Sequence, residues 1–335
     1  MSKINMKEWA QSLIASPKRV AIPIMTHPGI ELCGYTVRQA VTDGAIHAEA
    51  IRKLNEAYPA AATTVIMDLT VEAEAFGANI VFEDHSIPTV TGRLVTDLRT
   101  VATLPVPGLD KGRVQEYLKA NKLSAEAIEG KPVFAGCIGP FSLAGRLFGM
   151  SEMLMEMYIA PDTVNLLLDK CTKFIASYLR AIKETGVNGV VIAEPAAGLV
   201  SNEDCEAFSS RYIKTIVEEL QDQNFMVILH NCGNTGHCTE AMVSTGAAGF
   251  HFGNQANMVE ALQNCPKDAL VLGNIDPVGI MKMASAEKVS EAVTALLEAT
   301  KGFPNYVLST GCDVPPQVPQ ENIKAFYDAL AAFNA

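Results

Sequence analysis

Residues 189–230 read GVVIAEPAAGLVSNEDCEAFSSRYIKTIVEELQDQNFMVILH. The stretch opens on a short β-branched run, Gly189–Glu194, and closes on another, Phe225–His230. Between them Asp204–Gln221 carries apolar residues at helical spacing. Strand, helix and strand in succession form a crossover unit, which predicts two parallel neighbours in one sheet. The alternation recurs on both sides. Val20–Met25, Thr63–Asp68 and Val133–Ile138 precede the unit, and Gly249–Phe252, Leu270–Ile275 and Tyr306–Thr310 follow it. Ala160–Glu184 and Ala286–Thr300 read as two more of the intervening helices. Eight such strands predict an α/β chain folded as a (β/α)8 TIM barrel, one domain over residues 1–335. A doubly wound sheet is the alternative, but it would carry a Gly-rich phosphate turn after its first strand. Here Thr26-His27-Pro28-Gly29 follows instead. Residues 80–97, IVFEDHSIPTVTGRLVTD, place Glu83-Asp84-His85-Ser86 between two strand-like pieces, predicting a small hairpin insertion after the second strand. Thr103–Asp110, with two prolines, reads as loop.

Composition narrows the function classes. Of 335 residues, 49% are hydrophobic and 19% charged, which excludes a disordered chain. The 37 acidic residues outnumber 26 basic ones, for a formal charge of −11. That balance argues against a nucleic-acid partner and against an anionic membrane surface, since both need a basic patch. No stretch has the ~18 apolar residues of a membrane span. Met1–Arg19 carries charges throughout and lacks the apolar core of a signal peptide, so the expected compartment is the cytoplasm. The eight cysteines are accordingly expected to be reduced, most of them in the core.

Several predicted strands end on polar residues: Asp68, Glu194, His230, and the pair Asn274 and Asp276 around the seventh strand's end. The strand ends of a parallel barrel open onto one face, where catalytic groups collect. His230-Asn231-Cys232-Gly233-Asn234 is the sharpest feature, because imidazole and thiolate both suit zinc. Cys312 reaches the same rim 80 residues later, in Ser309-Thr310-Gly311-Cys312-Asp313. Three ligands, His230, Cys232 and Cys312, leave one zinc position open, as catalytic sites do. The competing reading is three ordinary buried residues. Glu194 reads as a fourth, displaceable ligand or a general acid, with pairing to a backbone amide or an arginine as the alternative. Asp68, Cys137, Asn234, Asn274 and Asp276 are the candidate substrate-binding residues. Cys238 reads as core, His237 and His251 as structural, and Met150, Met153, Met155 and Met157 as core or lid.

HNCGNTGH from His230, GNIDP from Gly273, STGCDVPPQVPQENIKAF from Ser309 and PIMTHPGIELCGYT from Pro23 together resemble the uroporphyrinogen decarboxylase superfamily. Within it they resemble the zinc-dependent methylcobamide:coenzyme M methyltransferases of methanogens and their bacterial relatives, over nearly the full length. The resemblance implies a (β/α)8 barrel, zinc on His230, Cys232 and Cys312, and a methylcobamide as methyl donor. It implies an activated thiol such as coenzyme M that takes the methyl group in line and releases Co(I), and a separate corrinoid protein as partner, because the chain has no Asp-x-His-x-x-Gly cobalamin motif. The decarboxylases carry an arginine-rich N-terminal segment. Met25–Tyr35 contains neither arginine nor lysine, so a multiply carboxylated tetrapyrrole finds no counter-charge there. Uroporphyrinogen decarboxylation, a folate or other methyl acceptor, and a non-catalytic corrinoid- or zinc-binding module are the competing functions.

Overall fold

The apolar, β-branched runs become strands, while their flanking helical text packs outside them. The computed structural model describes residues 4–335; residues 1–3 of the predicted domain and of the N-terminal stretch lie outside the described residues. Its strands are β1 (Thr63–Thr64), β2 (Asn79–Val81), β3 (Thr89–Thr91), β4 (Val133–Ile138), β5 (Gly189–Ala193), β6 (Met226–Asn231), β7 (Gly249–Phe252), β8 (Leu270–Ile275) and β9 (Tyr306–Thr310). Among the described residues, seven of them form one all-parallel sheet in the order β1-β4-β5-β6-β7-β8-β9. β2 and β3 pair antiparallel, Ile80 opposite Val90, where the sequence reads as a hairpin.

The two sheet edges, β1 and β9, are bridged by the segment predicted as the first strand. Ile22 N–H donates to the Leu308 carbonyl at 2.9 Å and Leu308 N–H to the Val20 carbonyl at 3.1 Å, while Ala61 N–H reaches the Ala21 carbonyl at 2.9 Å. Val20–Met25 is thus an extended closing segment with a single parallel bridge, Ala21 to Leu308, and not a regular strand. Pro23 has no N–H to give a ladder. The second predicted strand also shortens. After Val65, the Ile66 N–H turns to the His47 Nε2 at 3.0 Å, so a buried imidazole takes the place of the neighbouring strand. Burial lowers the His47 pKa to about 3, which keeps that nitrogen an acceptor.

Two buried layers follow from strand alternation. Ile22, Ile24, Phe134, Val191, Ile228 and Leu272 fill the barrel interior, with Met6 and Ala10 of the first helix, Met6–Ala15, packed in the same cluster. The opposite faces of the strands pack on the helices, among them Pro161–Glu184, which buries Leu167, Cys171, Phe174 and Tyr178 along one side. The predicted helix Asp204–Gln221 is broken: Asn202–Cys205, a π-helical turn Glu206–Ser210, then Arg211–Leu220.

Candidate metal centre

On β6 the interior positions are Met226 and Ile228, so His230 continues the interior row at the strand's C-terminal end. In register beside it on β7 stands His251, and on β9 Ser309 follows the interior Val307. The three form a hydrogen-bonded chain. His230 Nδ1 lies 2.8 Å from His251 Nδ1, and His251 Nε2 lies 2.8 Å from Ser309 Oγ. All three are buried. Burial, reinforced by His230, pushes the His251 imidazole well below its ordinary value, so it is neutral and carries one proton. With that proton on Nε2, His251 donates to Ser309 and accepts at Nδ1 from His230. This tautomer leaves the His230 Nε2 lone pair free for a metal.

The two cysteines arrive on loops that pack tightly. A Cβ on Gly253 would stand 2.5 Å from the Cys232 carbonyl oxygen, and one on Gly311 2.5 Å from the Asn254 nitrogen. Only glycine permits both approaches. Asp313 anchors the second loop: its Oδ1 accepts from the Thr26 N–H at 3.1 Å and its Oδ2 from the Thr26 hydroxyl at 2.8 Å, with His27 Nδ1 at 3.4 Å. The ligand atoms of His230, Cys232 and Cys312 all lie within 4.8 Å of one another. The two thiols perturb each other: Cys312 lowers the pKa of Cys232 beside it, while Cys232 and burial raise that of Cys312. An imidazole and two thiols converging in this way are the donor set of a zinc site, and they fit that ion.

A cavity of about 260 Å³ opens beside these three side chains. Its walls include Ile24, Met67, Leu69, Asp68, Arg146 and, from the hairpin, Ile87. Among the described residues, Arg146 is the one lysine or arginine that lines it.

The remaining sequence-derived candidates divide by strand parity and by their bonds. Glu194 follows Ala193 on β5, whose interior residue is Val191, so its side chain turns outward. Its oxygens accept from the Ser142 N–H at 2.9 Å, the Phe141 N–H at 3.2 Å and the Ser209 hydroxyl at 2.7 Å, at the start of the helix Pro140–Phe148. Burial pushes its carboxyl up to about 7 against the pull of those donors. Glu194 therefore holds a helix end and is not in the ligand cluster. Cys137 has the same outward parity on β4 and lies in the sheet–helix core, not on the cavity. Asn234 ties its own loop through Gly236 and Cys238 N–H groups, Asn274 binds the Gly253 and Ala256 carbonyls, and Asp276 accepts from Val278 and Gly279. These three organise loops. Asp68 does line the cavity, but its oxygens are bonded to Arg113, Tyr117 and Thr70. His251, read from sequence as structural, proves to be the partner of His230. Ser309 and Arg146 carried no local signal.

One buried acid remains near the site. Glu72 accepts from the Ile138 N–H at 3.1 Å with one oxygen, and its other oxygen has no partner among the described residues. Burial raises its carboxyl to about 7 from an ordinary 4.5. A raised carboxyl stabilises the fold fully below pH ~4.5 and loses that contribution as pH rises through ~7. The shift corresponds to about 3 kcal/mol. Glu72→Gln is expected to remove that slope: urea unfolding at pH 4.5 and 8 should show the variant losing about 3 kcal/mol less than the parent. Parallel pH profiles would count against a neutral Glu72.

Residues 13–333 match the family model described as uroporphyrinogen decarboxylase (URO-D). The methylcobamide:CoM methyltransferase MtbA of Methanosarcina acetivorans is 32% identical over 268 residues, covering 78% of this chain and 77% of that protein. MtbA of Methanosarcina mazei is 32% identical over 304 residues, covering 86% and 88%. Among solved structures, a methyltransferase from Methanosarcina mazei superposes with a TM-score of 0.87 over 99% of both chains at 24% identity, a likeness of fold.

Proposed function

The chain belongs to the uroporphyrinogen decarboxylase (URO-D) family, and on that footing we propose that it is a zinc-dependent methyltransferase that moves a methyl group from a methylated corrinoid protein to a small thiol such as coenzyme M. Methyl transfer is supported by the identity to two methylcobamide:CoM methyltransferases over more than three quarters of the chain. The single observation that carries the zinc and the thiol is the convergence of His230, Cys232 and Cys312 on one cavity.

Zinc bound there would supply the Lewis acidity that deprotonates a thiol at neutral pH and keeps its sulfur nucleophilic. The protein's own groups do the rest. With its proton on Nε2, His251 bonded to Ser309 orients His230 with Nε2 free, while Thr26 and Asp313 hold the Cys312 loop. The apolar wall of Ile24, Met67 and Ile87 limits water around the sulfur. A sulfur–carbon bond forms as the carbon–cobalt bond breaks, both electrons stay on cobalt, and the thiol proton leaves to solvent.

Cavity size favours this reading. Pockets that enclose drug-sized ligands measure roughly 300–1,000 Å³, and this cavity holds about 260 Å³. It accommodates a small acceptor, so the corrinoid is presented at its mouth by a partner protein. A tetrapyrrole or a folate fits poorly, and a multiply carboxylated one would meet a single cation, Arg146. Among the described residues, no helix is long and apolar enough to cross a membrane. We place the protein in the cytoplasm, acting through one barrel domain, where its free cysteines stay reduced.

Zinc-loaded protein mixed with methylcobalamin and 2-mercaptoethanesulfonate is expected to lose the methyl–cobalt absorbance and yield the methyl thioether. Decarboxylated porphyrinogen formed at an enzymatic rate, independent of Cys312, would overturn the proposal.

A further inference from the structure

Arg146 sits in the last turn of the helix Pro140–Phe148, half-buried, and borders the same cavity as the two thiols. Among the described residues, its guanidinium makes no hydrogen bond or ion pair. Other inward cations are satisfied: Arg113 bonds Asp68, Glu74, Thr70 and a carbonyl, and Lys170 bonds three carbonyls. The acids that act on Arg146 through space are Glu72 and Asp68. Asp68 is already matched by Arg113 and Tyr117, and burial keeps much of the Glu72 population uncharged at neutral pH. A guanidinium stays protonated even where burial lowers its pKa. A half-buried guanidinium with no protein partner, set in a largely apolar wall, favours an anion entering the cavity.

The cavity thus has a sulfur-seeking end and a single unmatched positive charge. We propose that Arg146 is the specificity-determining residue of the acceptor site, binding the anionic group of a small thiol whose sulfur is held at His230, Cys232 and Cys312. The inference rests on the thiol-acceptor reading above and deepens it: the acceptor is an anionic thiol. A guanidinium presents paired N–H donors, which suit the oxygens of a sulfonate or a carboxylate. A charge-assisted hydrogen bond in a partly desolvated cavity is expected to be worth roughly tenfold to a hundredfold in affinity.

Calorimetric titration of the zinc-loaded protein tests this with three probes: 2-mercaptoethanesulfonate, 3-mercaptopropionate and uncharged 2-mercaptoethanol. Wild type is expected to bind at least one anionic thiol about tenfold or more tighter than the neutral one. The order of the two anionic probes tells sulfonate from carboxylate recognition. Arg146→Gln should bring all three within about twofold of one another, and Arg146→Lys should restore part of the preference. Cys312→Ala should weaken all three alike and leave the preference for charge. A wild type without that preference, or an Arg146→Gln variant that keeps it with its fold intact by circular dichroism, overturns the assignment; the latter result would leave Arg146 as counter-charge to Glu72. Charge preference without methyl transfer from methylcobalamin would remove the methyltransferase reading and leave Arg146 standing. Methyl transfer without charge preference would do the reverse. Failure of every thiol to bind would overturn both.

Discussion

Cys312→Ala is expected to lower methyl transfer from methylcobalamin to a thiol by at least about a hundredfold. Residues that merely orient a metal ligand are worth about 10–100-fold when removed, and a ligand is worth no less. The same change is expected to take zinc from about one per chain to a small fraction of that, because His230 and Cys232 alone leave two soft donors for a tetrahedral ion. Stability should barely move. Cys312 is only half-buried, on the loop after β9, and the barrel interior and the sheet–helix layer do not include it. Elemental analysis, the methyl–cobalt absorbance and thermal unfolding measure the three effects on one sample. Stoichiometric zinc retained in the Cys232→Ala, Cys312→Ala double variant would sink the metal assignment. Loss of zinc together with loss of fold would mean a structural ion, as in a zinc finger.

What the sequence made legible here depended on which signals are local. The βαβ text around Gly189–His230 is local, and β4, β7, β8 and β9 begin and end where their apolar runs do. His230 and Cys232 are two residues apart, and Cys312 closes a strand-end motif, so bringing the three side chains together needed only the barrel's common rim. Parity was the hidden variable. Barrel strands are apolar on both faces, so periodicity does not say which face is inside. Glu194 and His230 both stand at strand ends, but only His230 shares the interior row. Polar residues at strand tips therefore split into those that face the cavity and those that tie helices and loops, such as Glu194 and Asn274.

Other features depended on contacts across register. His251 looks like a lone histidine until β6 and β7 are aligned. Arg146 sits in amphipathic helical text, and nothing in that text says that its guanidinium lacks a partner. The closing segment and the second strand were shortened by Pro23 and by His47, the first visible in the sequence and the second only in space. Where the broken helix Asp204–Gln221 carries its π-helical turn, Ser209 meets the Glu194 carboxylate at 2.7 Å.

Arg113→Met is expected to cost about 3–5 kcal/mol of stability, the penalty for leaving one partner of a buried ion pair uncompensated. Arg113 is 8% exposed and donates to Asp68, to Glu74 at 2.6 Å, to Thr70 at 2.7 Å and to the Val41 carbonyl at 3.0 Å. Burial works against its charge, but Asp68, Tyr117 and Glu74 more than offset it and raise its pKa. The Asp68 side chain is 1% exposed, so without the guanidinium it keeps only Tyr117 and Thr70 as donors. Such a loss is about a fifth or more of a typical domain's 5–15 kcal/mol. Adding Asp68→Asn to Arg113→Met removes the stranded charge and should recover part of the loss, the non-additivity measuring the pair. Urea unfolding midpoints of the two single variants and the double decide it. Asp68 lines the cavity, so the competing role is contact with the acceptor. In that case Asp68→Asn would raise the KM for the thiol at unchanged stability, and Arg113→Met would unfold at the parent's midpoint. The bonded network predicts the opposite: both single variants lose stability, and those molecules that remain folded bind the thiol as before.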